Sequence, residues 1–411
     1  MVHFERNQKS LLTIHILRTI LEVFTSTFLT SHILSVNPDD VLGQGLLNIG
    51  LFYMVFYASY IICYALVSNL VRKGNHLLFF RIGILVNLGF LISLVFWGSQ
   101  IASWIVIAGL IYGISDGFYY SNYLVMKNSY SPRVSMKEYN ILSVILINIV
   151  KIIIPTILGL LIDVSSLSIV AIYVIVIVVA QFIVTFTFKD SATTTNEFKF
   201  IQYVKFLKEN PDVLSKVKYT YRNSLIAGVK STYSVIVVLL TIYTFKTNLS
   251  LGIFTSLFSV ATILLLMLYK KLDNNPKVNK FIIYMSLGAI PVVGCIVMVA
   301  KMTTVTLVIY NFLLTIAIYF SEYFGNIERD AIIKNVGHRE FIAEHQFMCE
   351  LVQCISRIVA YSVIMCVGLF ASITAFKILL VCYITINPLK FYNMHKQRLV
   401  RKELEQLNEN K

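Results

Sequence analysis

A chain of 411 residues that is 57% hydrophobic and only 14% charged, with a mean hydropathy of +0.75, is too apolar for a soluble domain, whose apolar share is nearer half and charged share nearer a quarter. Spanning a bilayer takes about 20 apolar residues, which leaves room for roughly twelve spans and one longer polar break. The net charge of +14 would suit a nucleic-acid partner, but the lysines and arginines sit in short loops between spans and at the C-terminus, as the positive-inside rule places them, so nucleic acid is excluded.

The first span is expected over about Leu11 to Val36. His15, Arg18, Glu22, Ser26 and Thr30 recur along it at three- and four-residue steps and so share one face. That face cannot look at lipid, because a central charge costs roughly 2.5 to 3.5 kcal/mol on insertion scales. Arg18 and Glu22 should therefore pair at i,i+4 or face a wet cavity. The polar, basic segment Met1–Lys9 and the long, charged apolar stretch after it do not fit a cleavable leader, so this span is expected to remain.

An acidic turn, Asn37-Pro38-Asp39-Asp40, leads to a second span over about Leu42 to Asn69, and the basic Arg72-Lys73-Gly74-Asn75-His76 follows it. Spans three (about Leu77 to Trp97) and four (about Ser103 to Met126) flank the nearly uncharged Gly98-Ser99-Gln100. Spans five (about Tyr139 to Ile162) and six (about Ser168 to Phe188) flank Asp163. From Lys189 to about Arg222 the chain turns hydrophilic. The aromatic and basic mixture there, with Phe198, Phe200, Tyr203 and Phe206, suggests a helix lying on the inner membrane surface, with a plain tether as the alternative.

Span seven (about Ser224 to Thr244) carries Lys230, and span eight (about Leu251 to Tyr269) ends in Lys270-Lys271. Spans nine (about Phe281 to Ala300), ten (about Thr304 to Phe324), eleven (about Ile342 to Phe370) and twelve (about Ile373 to Ile386) complete the set. The tail holds Lys390, Lys396, Arg398, Arg401 and Lys402. Basic connections fall on the side of both ends, so both termini are expected in the cytoplasm and the protein in the cell membrane. The six cysteines lie in apolar segments without CxxC or zinc spacing, and no metal or cofactor is expected.

The two halves repeat. Sliding the chain forward by half its length puts Ser115-Asp116 on Ser321-Glu322, Arg133 on Arg339, Glu138 on Glu344 and Lys151 on Arg357, each charge keeping its sign. Asp116 and Lys151 lie on consecutive spans at similar distances from the loop around Arg133, so they should meet in an antiparallel helix pair, and Glu322 should meet Arg357 likewise. A parallel repeat of a multi-span unit with charges in both copies is a signature of secondary transporters. The expected fold is an all-α polytopic membrane protein, with twelve transmembrane helices in two six-helix bundles related by a parallel pseudo-two-fold repeat. Its expected parts are an N-terminal bundle (1–188), a central cytoplasmic loop (189–221), a C-terminal bundle (222–390) and a tail (391–411).

Local motifs carry a resemblance. Val67-Ser68-Asn69-Leu70-Val71-Arg72-Lys73-Gly74-Asn75-His76 keeps Arg72 and Gly74 of the pattern G-x-L-A-D-R-x-G-R-R, with Val71 in place of the aspartate. Ile154-Pro155-Thr156-Ile157-Leu158-Gly159 keeps the proline and one glycine of G-P-x-x-G-G, and Ser131-Pro132-Arg133 precedes span five. With two six-span halves and a long central loop, the chain resembles the major facilitator superfamily. The resemblance implies alternating access about a midplane cavity lined by spans one, four, seven and ten. The polar face of span one, Asp116, Lys230 and Glu322 all fall on those spans. The partial span-five element leans towards export.

A carboxylate in an apolar cleft can take up and release a proton as water and partners come and go. Asp116 and Glu322, with Arg18, Glu22 and Lys230, are the proton-coupling and cavity candidates. Lys151 and Arg357 are their buried ion-pair partners, and a purely structural pair is the competing role. Arg133 with Glu138, and Arg339 with Glu344, are candidates for a cytoplasmic gate, with solvated loop charges as the alternative. Phe118, Tyr119, Tyr120 and Tyr123 cluster beside Asp116 and either stack a solute or pack helices. There is no nucleophile elbow, phosphate loop or His/Cys metal spacing, so catalysis is not expected. The expected activity is secondary active transport, driven by protons, of a small organic solute or amphiphile by a monomer in the bilayer. A transport-inactive sensor or scaffold of the same fold, and a polytopic enzyme acting on lipid-linked substrates, are the alternatives.

Overall fold

The computed structural model of the chain describes residues 5–36, 40–70, 75–130, 133–189, 198–245, 247–273, 279–335 and 341–409, and among these every regular element is helical. The first helix starts at Arg6 and runs as α1 (Arg6–Val23), a π-helical turn (Phe24–Leu29) and α2 (Thr30–Ser35). There follow α3 (Leu46–Leu70), α4 (His76–Trp97), α5 (Ile105–Tyr130), α6 (Arg133–Val164) and α7 (Leu167–Val184). The central connection contains α8 (Phe200–Glu209) and opens into α9 (Pro211–Lys230), with proline at the first helical position, where its missing N–H costs nothing. Then come α10 (Thr232–Phe245), α11 (Asn248–Asp273), α12 (Lys280–Ala300), α13 (Thr304–Asn335), α14 (Ile342–Phe370), α15 (Ile373–Ile384) and α16 (Ile386–Glu409).

Ten helical stretches among the described residues are long and apolar enough to cross a membrane, and two shorter apolar helices, Asn248–Ala261 and Thr304–Ile318, fall where the eighth and tenth spans were expected. The protein is a multi-pass membrane protein. Helices suit this solvent because each satisfies its own backbone hydrogen bonds where no water is present. Ile145, Ile149, Ile153, Ile157 and Leu160 are exposed at helical spacing along α6, a purely aliphatic stripe of the kind that lipid tails cover.

The chain divides into two compact units. One comprises Met1–Phe198 with Thr241–Leu257 and Tyr361–Ala371; the other comprises Lys199–Leu240, Phe258–Ala360 and Ser372–Lys411. In the first unit α5 packs on α3 and α4, and α1 packs on α6 and α7. The α3–α5 contact is close because Gly109, Gly113 and Gly117 recur every fourth residue. A Cβ at Gly109 would stand 2.7 Å from the Phe52 carbonyl oxygen, and one at Gly117 would stand 2.9 Å from that of Tyr60. Small residues at this spacing let backbones approach where side chains would hold them apart. α5 therefore takes its main contacts from α3 and α4 rather than α6. In the same unit Asp163, in the last turn of α6, accepts the backbone N–H groups of Asn248 at 3.1 Å and Leu249 at 2.8 Å.

In the second unit α12, α13 and α16 pack together around Tyr284, Ala317, Phe320, Phe391 and Met394. The chain beyond residue 390, expected to be a tail, thus starts as core, with Phe391 and Met394 fully buried. The central helix α8 also differs from expectation. Its apolar residues Tyr203 and Leu207 are buried against Val217, Ile332 and Leu404, so protein rather than lipid covers that face.

Candidate functional site

Two groups of polar side chains lie among these apolar helices, one in each unit. In the first unit Arg18, almost fully buried, projects from α1 towards α5. Its guanidinium donates to the carboxylate of Asp116, and its Nε lies 3.7 Å from Oε1 of Glu22 one turn further along α1. Tyr120 donates its hydroxyl hydrogen to the same Glu22 oxygen. The guanidinium carbon sits 4.9 Å from the ring centre of Tyr119 and 5.9 Å from that of Tyr112. A cation over an aromatic face gains more when water is excluded, as it is here.

The π-helical turn places the surrounding polar groups. Thr25, inside that turn, shares a 2.8 Å hydrogen bond with the Tyr112 hydroxyl. A single π turn inside an α-helix is a frequent mark of a functional position. His15, one turn before Arg18, stacks on Tyr123 with ring centres 4.4 Å apart. The cluster thus has one guanidinium in contact with two carboxylates, enclosed by tyrosines. Exposure divides the acids, since the Glu22 side chain is 32% accessible and that of Asp116 only 9%.

In the second unit α9, α13, α14 and α16 enclose a cavity of about 320 Å³. Each helix turns one face to it. Asn223, Ala227 and Lys230 come from α9, Ser321 from α13, Glu350, Gln353 and Arg357 from α14, and Lys390 and Gln397 from α16, all at spacings that share a helical face. Lys230 and Lys390 are buried. Lys230 Nζ donates to Ser321 Oγ at 2.8 Å and lies 5.6 Å from the ring centre of Phe391. Lys390 Nζ donates to the backbone oxygen of Asn223 at 3.0 Å. The amide of Asn223 donates to Gln397 Oε1, and Gln397 Nε2 donates to Thr220 Oγ1 at 3.2 Å. Gly228 lets α9 approach α14, because a Cβ there would stand 2.6 Å from that of Ser356.

The structure brings Arg18, Glu22 and Asp116 together, and it brings Lys230 and Arg357 to one cavity. Arg18 of α1 is the base placed on Asp116. That contact joins α1 to α5, while α6, which carries Lys151, packs on α1 and α7. Arg339 and the side chains of Glu322, Arg133 and Glu138 lie outside the described residues. Glu344 is buried, and its Oε1 accepts the backbone N–H of Lys199 at 2.6 Å just before α8. Lys390 and Gln397 were missed as site residues because they follow the last expected span. Their separation by two helical turns, in a segment with apolar residues at helical spacing, was the available signal. Among the described residues no group of His, Cys, Asp and Glu is placed to hold a metal ion.

No protein-family model matches the chain, and no curated protein matches it by sequence. Solved structures do match. The nucleoside transporter NupG aligns over 95% of this chain and 99% of its own, at 14% identity and a TM-score of 0.64. A bacterial homologue of the iron transporter ferroportin, in its inward-facing state, aligns over 95% and 98% at 12% identity and a TM-score of 0.69. The peptide transporter POT in complex with sulfate aligns over 98% and 95% at 11% identity and a TM-score of 0.65. At these identities the likeness establishes the fold.

Proposed function

From the major facilitator fold that this chain adopts, we propose that it is a secondary active transporter for a small organic solute, working by alternating access and driven by protons. The observation that carries the proposal is the buried contact of Arg18 with both Asp116 and Glu22. A guanidinium's single charge matches only one of two carboxylates. A proton on the other relieves repulsion that the low-dielectric surroundings make severe. Glu22 is the better exposed of the two, so water reaches the pair from its side. The arrival or loss of a proton at the pair changes the net charge on the α1–α5 contact, and so biases one arrangement of the helices over another. The transporters that share the fold support transport of a small molecule.

The ten long and two shorter apolar helices are read as twelve crossings in two six-helix halves, with both termini in the cytoplasm and a single chain as the working unit in the cell membrane. In that orientation Asp163 and Asn248 belong to the outer side, and their hydrogen bonds close it. Opening outward must break them. At the inner side the gate proposed for Arg133, Glu138, Arg339 and Glu344 would work against the Glu344 contact that holds Lys199.

The test is reconstitution of the full chain in liposomes with a pH indicator inside, while classes of solute are supplied under an imposed proton gradient. Solute-dependent acidification or alkalinisation that disappears in Asp116→Asn is the expected result. Solute uptake with no pH response would leave transport standing and remove the proton. The absence of uptake for every class would favour a sensor or scaffold.

A further inference from the structure

We propose that a groove between α12 and α13 holds one acyl chain of an anionic phospholipid, whose headgroup rests on Lys301. The helix α12 is one of those long and apolar enough to cross the bilayer. Its residues Tyr284, Gly288, Pro291, Cys295 and Met298 are buried in the second unit. On another side the helix borders an apolar groove of about 550 Å³, with Thr306, Ile309 and Leu313 of α13 as the facing wall. Ile290, Val293, Val297 and Ile309 line this groove, and each is between 45% and 60% exposed. Residues so exposed on a spanning helix have lipid as their solvent, so a hydrocarbon chain is the occupant that the bilayer itself supplies.

A glycine keeps the groove open. At Gly288 a Cβ would stand 2.7 Å from the Cα of Pro388, so close helix packing requires that glycine. Gly294 differs, since an added Cβ would meet the end of the Leu313 side chain at 2.9 Å and the Tyr310 ring at 3.8 Å, with no backbone of another helix near it. Glycine is a poor helix residue, and here its missing side chain leaves room in the groove rather than bringing helices together. Length and charge then narrow the lipid. From Ser286 to Val297 the groove follows α12 for about 16 Å at the helical rise. That is half of the ~30 Å hydrocarbon core, the depth of one leaflet. One turn beyond Val297 the helix ends at Lys301, which is exposed. Thr306 of the facing wall donates its hydroxyl to the Lys301 carbonyl at 2.7 Å, which ties that residue to the rim of the groove. Lys301 is the only charged residue between Lys280 and Glu322, so the charge that these helices present at this rim is positive. A lysine at a bilayer surface favours an anionic headgroup by roughly fivefold. The site lies on the lipid-facing side of the second unit and does not depend on the transport reading.

The test places the full chain in phosphatidylcholine vesicles with a trace of either phosphatidylglycerol or phosphatidylcholine carrying a photoreactive diazirine in one acyl chain. Labelled residues are then mapped by mass spectrometry. The exposed aliphatic stripe of α6, which includes Ile149, Ile153 and Ile157, is the reference for contact with bulk lipid. Relative to that stripe, the phosphatidylglycerol probe should label the groove residues about fivefold more than the phosphatidylcholine probe does. Unlabelled phosphatidylglycerol should compete. Lys301→Gln should bring the two probes to equal yields, while Lys301→Arg keeps the preference. Gly294→Leu and Ile309→Phe each fill the groove without touching a charge, and should lower its labelling to the level of the stripe. Elution profile and melting temperature identify which variants are folded, and yields are compared among those alone. Equal yields from the two probes in the wild type would overturn the proposal. So would groove labelling no higher than that of the stripe, a yield unchanged in the folded filling variants, or a preference that survives Lys301→Gln.

Discussion

Asp163 accepts two hydrogen bonds from Asn248, one from its backbone N–H at 3.1 Å and one from its side-chain amide at 3.0 Å, and a third from the N–H of Leu249 at 2.8 Å. It acts as a cap for α11 supplied from a distant part of the chain, satisfying N–H groups that the first turn of a helix leaves unpaired. Asp163→Ala should weaken this contact by about 1 kcal/mol. If the contact closes the outer side, that loss shifts the balance of states roughly fivefold towards outward-open. Distances between spin labels on α6 and α11 would report it. An unchanged distance distribution would show that the cap does not bias the cycle.

Asp116→Asn removes the ionised acceptor of the Arg18 guanidinium but leaves the Glu22 carboxylate as its counter-charge. The expected loss is about 1.5–3 kcal/mol, read as a fall in melting temperature. Arg18→Met together with Asp116→Leu should regain much of it, since apolar residues of similar volume can replace a buried ion pair. That double variant should nevertheless take up no protons with solute. Recovery of both stability and coupled transport would mean the pair is scaffolding.

Gly113 faces α3 so closely that a Cβ would overlap Ser59 Oγ and the Phe56 carbonyl oxygen. Gly113→Val should force the two helices apart and destabilise the fold by about 1–3 kcal/mol or more. Gly89, with nothing near an added Cβ, provides the control, and Gly89→Ala should leave the melting temperature unchanged or slightly raised.

Tyr203 anchors α8 by hydrogen bonds to His345 Nδ1 at 2.7 Å and to the Tyr221 hydroxyl at 2.6 Å. Tyr203→Phe should cost about 1 kcal/mol and make the central connection easier to cleave in limited proteolysis. Burial pushes the Tyr203 phenol above its ordinary range. A raised folded value means stability that is fully present below the unfolded value and lost as pH rises above it. The contribution of Tyr203 should therefore hold to about pH 10, and cleavage of the wild type below that pH should show no dependence on this phenol.

Most of the helices were legible in the chain because hydrophobicity and length alone decide which segments can cross a bilayer. The polar face of α1 was legible for the same reason, since Arg18 and Glu22 cannot face lipid and lie one turn apart. The contact of Arg18 with Asp116 was not, because lateral order depends on which helix surfaces fit, and the glycines at 109, 113 and 117 commit α5 to α3. Nor did the polar character of the residues around Lys390 reveal a cavity wall, because a helix end that is hydrophilic in composition can still have one face packed, as Phe391 and Met394 are.

Read alone, the residues determined that the chain is a polytopic membrane protein whose few ionisable groups must turn inward, because transfer of charge or an unpaired backbone into hydrocarbon is prohibitively expensive. Tertiary structure decided which of those groups meet. Partner choice is set by close contacts between helices remote in sequence, and a one-dimensional pattern gives the face a residue occupies without giving the neighbour that face will find.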